Sequence, residues 1–319
     1  MNKLITFLKN WTLPISMIIG ALSYFIYANI PFLAPTKPFV NECISYIQPL
    51  LIFCMLFLTF CKIQLRDLKP KRWFVWLALL QCGLFSIMSM FLYFCPDSTW
   101  RAIIEGTMLM FMCPTATAAA VVTQKLGASA AVITAYTIII NLIIAVLAPV
   151  MLPLAHPHQG LEFLPAFITI IRKVFPLLIC PLIVACLVRR YLPRFHQMCV
   201  GCKDLAFYLW AIALAIAIAV TCKAIVHSQG ALSDIIGIAV GSLLACLLQF
   251  GIGKLIGGAH GHRIEGGQAL GQKNTVFIIW VGYTFLTPIS AIAGGFYSVW
   301  HNLINTYQLY KYRKGKEGF

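Results

Sequence analysis

A group of polar residues lies near the start of an apolar stretch that runs to Leu286. The group consists of Gln268, Gln272, Lys273 and Asn274. Such residues are costly at membrane depth and usually persist only where they face a cavity and bind an ion or a substrate. Nearby Gly266, Gly267 and Gly271 favour a break in the helix. A broken helix beside polar side chains is how secondary transporters build a binding site at the membrane midplane. The alternative is a helix that begins near Asn274, with Lys273 extending into water.

A second polar group lies in the last apolar stretch of the chain. It contains His301, Asn302 and Asn305, and Asn305 follows His301 by four residues, on the same helix face. These side chains could donate hydrogen bonds to a carboxylate. The alternative for His301 is an interfacial position near the end of a helix.

A third interruption is the run Cys113-Pro114-Thr115-Ala116-Thr117-Ala118. Proline removes a backbone donor and clashes with the preceding turn, and small residues let another backbone approach closely. An ordinary proline kink would explain the same residues. If this run and the one at Lys273 occupy equivalent places in a repeat, we expect the two broken helices to face each other.

The composition identifies the class of protein that must position these groups. Of the 319 residues, 61% are hydrophobic and 10% are charged, and the mean hydropathy is +0.87. This composition predicts an all-α polytopic membrane protein. Ten apolar blocks occupy 11–33, 43–61, 73–95, 102–123, 129–153, 169–188, 205–225, 235–256, 266–286 and 288–309. The net charge of +15 does not indicate a nucleic-acid partner, because the basic residues lie in short runs between apolar blocks.

The distribution of lysine and arginine predicts the orientation. With a cytoplasmic N-terminus, 18 of the 24 basic residues face the cytoplasm and five face outward, and Lys273 is the remaining one. The five outward residues are Lys37, Arg101, Arg172, Lys173 and Lys223. This bias predicts that both termini are cytoplasmic, in a bacterial-type inner (plasma) membrane. Ten helices divide into a five-plus-five inverted repeat. A short echo supports the repeat, since Leu-Leu-Gln-Cys-Gly around Gln81 returns as Leu-Leu-Gln-Phe-Gly around Gln249.

Four segments resemble the bile acid:sodium symporter family: Leu51–Thr59, Cys113–Ala118, Gly271–Asn274 and Tyr297–Asn302. The resemblance extends over most of the chain, including the order of the blocks. It implies a single transporter unit, 1–319, in which the broken fourth and ninth helices cross. It further implies panel helices at about 11–61 and 169–225 and core helices at about 73–153 and 235–309. Members of that family transport bile acids or other organic anions, usually with sodium.

The resemblance and the chemistry of the polar groups together predict the site. The predicted substrate-binding residues are Thr117, Lys273, Asn274, His301 and Asn302. The predicted ion-coupling residues are Gln81, Thr137, Gln268, Gln272 and Lys273. We predict no metal site and no cofactor other than Na⁺ or H⁺ as a coupling ion.

The sequence departs from the family pattern where sodium would bind. Ala119 and Ala120 replace the family's serine and asparagine, and the family's glutamate aligns with Gln268 or, after a one-residue slip, with Ala269. Sodium is a hard cation that prefers oxygen ligands, so these changes weaken such a site. We therefore hypothesise that Lys273 replaces a sodium ion, with its ammonium group bonded to carbonyls of the two broken helices.

These predictions describe a non-enzymatic secondary transporter that moves an organic anion by alternating access, as a monomer or homodimer surrounded by lipid. Two alternatives remain open. One is an arsenite or auxin-type efflux carrier with Cys113 as a thiolate ligand. The other is a sensor or structural membrane subunit that does not transport.

Three smaller motifs have simple interpretations. Cys199, Cys202 and His196 could form part of a zinc site, but their spacing alone is weak evidence. Arg101 and Glu105 are predicted to form an ion pair on a helix surface at the outer mouth. Arg172-Lys173 is predicted to anchor the outer membrane interface or to attract anions to the entrance.

Overall fold

The computed structural model describes residues 2–62, 69–156, 163–202, 205–227 and 230–317. Within these ranges the chain is helical, with no strand. The helices are α1 Asn2–Asn29, α2 Lys37–Cys61, α3 Arg72–Phe94, α4 Arg101–Met112, α5 Ala118–Lys125, α6 Ala130–Ala155, α7 Phe163–Tyr191, α8 Pro193–Gly201, α9 Leu205–Val226, α10 Leu232–Gly258, α11 Arg263–Gly271, α12 Thr275–Phe285 and α13 Pro288–Glu317. A 3-10 helix, Pro31–Thr36, connects α1 to α2.

Six helical segments in the described ranges are long and apolar enough to cross a membrane: α2 with its preceding 3-10 helix, α3, α6, α7, α9 and α10. Shorter apolar helices are formed by Pro14–Asn29 within α1 and by α12. The prediction of an all-α polytopic membrane protein is confirmed at this level. Each predicted apolar block coincides with a helix or, for the fourth and ninth blocks, with a pair of short helices. The amphipathic segment α8 was not predicted.

The helices pack in two neighbourhoods. In the first, α1 packs on α9, and α2 packs on both α7 and α9. In the second, α10 packs on α11, α13 and α4, while α3 packs on α4 and α6. The two neighbourhoods meet where α6 contacts α7 and where α12 and α13 contact α9. The pairs α4–α5 and α11–α12 therefore lie among other helices rather than at the edge of the protein.

The approach of α10 to α11 is close, and it depends on glycine. A Cβ atom on Gly266 would lie 2.3 Å from the Gly253 carbonyl oxygen and 2.8 Å from the Gly257 Cα atom. No residue other than glycine fits at such a distance without moving a helix. This contact fixes α11, and with it the place where the ninth apolar block is interrupted.

Candidate functional site

Two helix interruptions meet inside the protein. The chain is extended between the end of α4 and the start of α5, and again between the end of α11 and the start of α12. The two extended segments pair antiparallel through Thr115 and Lys273. The Ala116 amide donates to the Gln272 carbonyl at 2.9 Å, and the Asn274 amide donates to the Pro114 carbonyl at 3.1 Å. We call residues 113–117 and 272–274 the crossover.

The Thr115 side chain and side chains from two helices, α3 and α13, complete the hydrogen bonding around the crossover. The Thr115 hydroxyl donates to the Ala269 carbonyl at 2.6 Å, and the Gln81 amide nitrogen donates to the Cys113 carbonyl at 2.9 Å. The Tyr297 hydroxyl donates to the Gly271 carbonyl at 2.8 Å. Polar backbone groups in a membrane interior need partners within the protein, and these bonds provide them. The predicted site did not include Thr115 or Tyr297, because sequence gives no sign of which carbonyls they reach.

Asn274 and Thr117 lie next to the starts of α12 and α5. The Asn274 side chain caps α12 by accepting a hydrogen bond from the Phe277 amide at 3.3 Å, a usual role for asparagine before a helix. Because α11 precedes α12, the block is a broken helix as predicted, and the alternative of a single helix that begins near Asn274 is wrong. Thr117 is buried and precedes α5 without forming a side-chain cap. A substrate-binding role for either residue stays a prediction.

Lys273 lies at the centre of the crossover and is 0% exposed. Its amino group has no hydrogen-bond partner among the residues that the structure describes. Two expectations are therefore wrong: the ammonium group is not bonded to carbonyls of the broken helices, and the side chain does not extend into water. The groups that interact with it electrostatically are the thiols of Cys82, Cys113 and Cys246. An amine in this position can exchange a proton or hold an anionic oxygen, since no carboxylate is among these neighbours.

A polar face of α13 lies beside the crossover. Tyr297, His301 and Asn305 follow one another at four-residue intervals, and the rings of Tyr297 and His301 lie 5.7 Å apart. Asn305 accepts a hydrogen bond from the Gln268 side chain at 2.8 Å. His301 is buried, and within the described ranges neither ring nitrogen has a partner. His301 is therefore not the interfacial residue of the alternative interpretation.

Asn302 lies on a neighbouring face of the same helix and is also buried. Its amide nitrogen donates to the Ser298 carbonyl at 2.8 Å, within α13. Its amide oxygen has no partner in the described part of the chain. The residue therefore keeps one acceptor for a ligand or water, and its predicted role in binding substrate stays a prediction.

The ion-coupling role of the predicted residues stays a prediction, because the side-chain oxygens of Gln81, Gln268 and Gln272 are buried and have no partner among the described residues. The Thr137 hydroxyl donates to the Ile133 carbonyl within α6 at 2.9 Å, and Ala119 is buried without any side-chain oxygen to offer. The Gln272 amide is unpartnered among the described residues, but it adjoins Lys273, and a charged lysine repels a second cation. Coupling to sodium or to protons therefore stays a prediction.

The described residues also contain no group of three or more His, Cys, Asp or Glu side chains placed to hold a metal ion. In the proposed zinc motif, the His196 ring instead contacts the Cys61 carbonyl, with 2.9 Å between Nε2 and the oxygen. The Cys113 thiol donates to the Asn274 carbonyl at 3.1 Å, so it takes part in the crossover. Nothing in this geometry favours an arsenite ligand set.

A cavity of about 560 Å³ lies between α1, α2, α9 and α12. Its lining includes the cations Lys37 and Lys223 and the imidazole ring of His227, and its aromatic lining includes Tyr24, Trp280 and Tyr283. Lys223 donates to the Asn41 side chain at 2.8 Å, and Lys37 is close enough to repel it. Cations beside aromatic walls suit a molecule with an anionic group and an apolar body. The site prediction missed this cavity, although the charge count had placed Lys37 and Lys223 on the same outer side.

The Arg101–Glu105 ion pair forms, but the prediction that it lies on the surface is wrong, because Glu105 is buried. Glu105 is 2% exposed, and its Oε1 lies 3.0 Å from both Arg101 Nε and His156 Nδ1. Its other oxygen accepts a hydrogen bond from the Ser290 hydroxyl at 2.6 Å. Glu105 therefore joins α4 to the ends of α6 and α13. Arg172 and Lys173 are exposed as expected, and the Lys173 amine lies 5.7 Å from the centre of the Phe285 ring.

No family model matches the chain, and no curated protein is significantly similar to it.

Proposed function

We propose that this protein is a secondary transporter that moves organic anions across a bacterial-type inner membrane by alternating access. The observation that carries this proposal is the crossover, where two broken helices pair through their backbones around the buried, unpartnered amine of Lys273. Irregular backbone at membrane depth occurs where it is buried in protein and forms a binding site. An unpartnered buried amine is costly to keep for stability alone, so a role in binding or coupling explains it better.

We further propose ten spans arranged as an inverted repeat, with α4–α5 and α11–α12 as equivalent broken spans. The two echoed glutamines support this arrangement. Gln81 donates directly to the Cys113 carbonyl near the end of α4. Gln249 donates to the Tyr297 hydroxyl at 3.2 Å, and Tyr297 in turn donates to the Gly271 carbonyl at the end of α11. Each glutamine thus supports the end of one half-helix, as a repeat would require.

In this proposal α1, α2, α7 and α9 form the panel and the remaining membrane helices form the core. The cavity of about 560 Å³ lies where α12 of the core meets α1, α2 and α9 of the panel. Motion of core against panel would open and close it. We infer that the anionic group of the substrate binds near Lys37 and Lys223, and that its apolar body packs against Trp280 and Tyr283. The charge bias supports an orientation with both termini cytoplasmic, which places this cavity on the outer side.

Uptake by purified protein in liposomes tests the proposal. We expect saturable uptake of at least one radiolabelled anion from a panel of conjugated bile acids, steroid sulfates and small carboxylates. Lys223→Gln should raise the substrate concentration for half-maximal uptake about tenfold, because it removes one cation from the cavity. Lys69→Gln is the matched control, since Lys69 is exposed and does not line the cavity.

The same preparation separates the transporter from a sensor. A sensor would bind an anion, detected as a rise in unfolding temperature, without moving it across the liposome membrane. Binding without uptake would therefore favour the sensor. If no anion in the panel is bound or taken up, the proposal is refuted.

A further inference from the structure

We propose that a groove at the C-terminal end of α13 binds the phosphate headgroup of an acidic phospholipid. The groove has a volume of about 760 Å³ and lies between the C-terminal ends of α10 and α13, the start of α11 and Leu126. It is separate from the crossover and from the cavity near Lys223, with which it shares no lining residue. The proposed orientation places it in the cytoplasmic leaflet, but the chemistry of binding does not depend on the orientation.

The charge of the groove supports an anionic ligand. Its lining contains Lys254, Arg263 and Lys311 and no acidic side chain. Lys254 is close enough to Arg263 and Lys311 to be repelled by both. None of the three forms an ion pair with a described carboxylate. Three like charges held together in this way are stabilised when an anion binds between them.

Two further contacts indicate a preformed site rather than a chance cluster of surface lysines. The aliphatic part of Lys254 crosses Gly267, where a Cβ atom would lie only 2.7 Å from Lys254 Cγ. The glycine therefore leaves the space in which this lysine stem packs. Gln308 also lines the groove, and its buried amide nitrogen has no partner among the described residues. It supplies an N–H donor where the cations converge.

The walls of the groove identify a lipid rather than a free anion as the ligand. Leu247, Leu303 and Tyr307 line it, and each is more than half exposed. Neighbouring Leu244 and Leu255 are exposed as well and continue this apolar surface along α10. A soluble phosphate would gain nothing from these walls. A phospholipid would place its headgroup at the cations and its acyl chain along the leucines.

The test is thermal unfolding of the purified protein with added phosphatidylglycerol or phosphatidylcholine. We expect phosphatidylglycerol to raise the unfolding temperature of the wild type more than phosphatidylcholine does. In the Lys254→Gln, Arg263→Gln, Lys311→Gln triple variant, the phosphatidylglycerol concentration for half-maximal effect should rise about a hundredfold. Lys314→Gln is the matched control, because Lys314 is an exposed lysine of α13 outside the groove. If the triple variant does not fold, Lys311→Gln alone should give a smaller rise in the same direction.

Three results would overturn the proposal. Equal stabilisation by the two lipids would show that the headgroup charge is not recognised. An equal effect of soluble glycerol phosphate would show that the groove binds a free anion and not a lipid. An equal loss in Lys314→Gln would show that the basic surface attracts acidic lipid without a defined site.

Discussion

The amino group of Lys273 is the least well satisfied cation among the described residues, and this makes its contribution to stability testable. It is fully buried and has no partner in the described ranges, while the backbone of the same residue pairs with Thr115. The backbone contact does not depend on the side chain. Removing the amine should therefore leave the crossover intact and relieve the cost of burying an unsatisfied polar group.

We predict that Lys273→Met stabilises the protein and abolishes transport. Methionine has a similar length and no buried donor, so the free energy of unfolding should rise by about 1–3 kcal/mol. Thermal unfolding measures the first effect, and uptake in liposomes measures the second. Lys69→Met, at an exposed lysine, should change neither. A lower unfolding temperature in Lys273→Met would mean that the amine stabilises the crossover.

If Lys273 replaces a coupling sodium ion, wild-type uptake should be equal in sodium and choline buffers and should change with external pH. This expectation rests on two features of the sequence. Ala119 and Ala120 have no side-chain oxygen to bind sodium, and Lys273 provides a positive charge in the partner segment of the crossover. Strict sodium dependence of the wild type would refute the replacement and would leave Gln81 and Gln272 as candidate ligands.

At the scale of the elements, the contact between α10 and α11 is sensitive to mutation because it depends on glycine. We predict that Gly266→Ala destabilises the protein by about 1–3 kcal/mol, because the added Cβ would lie 2.3 Å from the Gly253 carbonyl oxygen. Gly251→Ala is the matched control, because a Cβ on Gly251 meets no atom within 4 Å. Alanine is also the better helix former, so the control should be neutral or slightly stabilising. Equal unfolding temperatures for the two variants would contradict the tight contact.

The interruptions could be predicted from sequence because their causes are local. Pro114 cannot continue a hydrogen-bonded helix, and Gly271 lies where α11 ends. The pairing of the two interruptions could only be inferred from the proposed repeat, since it joins segments more than 150 residues apart in the chain. The burial of Glu105 was missed for the same reason. Spacing identified its partner Arg101, but Ser290 and His156 come from distant parts of the chain.

Lys273 shows a different limit of the sequence. Its position in an apolar block predicted a polar group at membrane depth, and the structure shows that the side chain is fully buried. The rotamer of a lysine decides whether its amine reaches a carbonyl, water or neither, and that choice depends on the surrounding side chains. Sequence therefore located the residue but assigned it the wrong partners.

At the scale of the whole molecule, the number of spans depends on whether the broken pairs cross the membrane. Helices α6 and α7 each satisfy the length and hydropathy of a complete span, whereas α4 and α5 do so only if they act together. The proposed ten-span arrangement counts α4–α5 as one crossing. Three crossings would then separate the end of α3 from the end of α8, and these two points would lie on opposite sides. If α4–α5 does not cross, the two crossings that remain would place both points on the same side.

Two exposed cysteines mark these points and allow the crossing to be tested in the native sequence. Cys95 follows α3 and Cys202 follows α8, and both are exposed free thiols. We predict that a membrane-impermeant maleimide labels Cys95 in intact spheroplasts and Cys202 in inverted vesicles, as measured by mass spectrometry of the labelled peptides. Cys95→Ser and Cys202→Ser should each remove one signal and leave the other. Labelling of both cysteines from the same side would mean that α4–α5 does not span the membrane, and the inverted repeat would then be wrong. If Cys202 is labelled in spheroplasts and Cys95 in inverted vesicles, the two cysteines still lie on opposite sides, so the inverted repeat stands. The orientation would then be reversed, and most lysine and arginine residues would face outward.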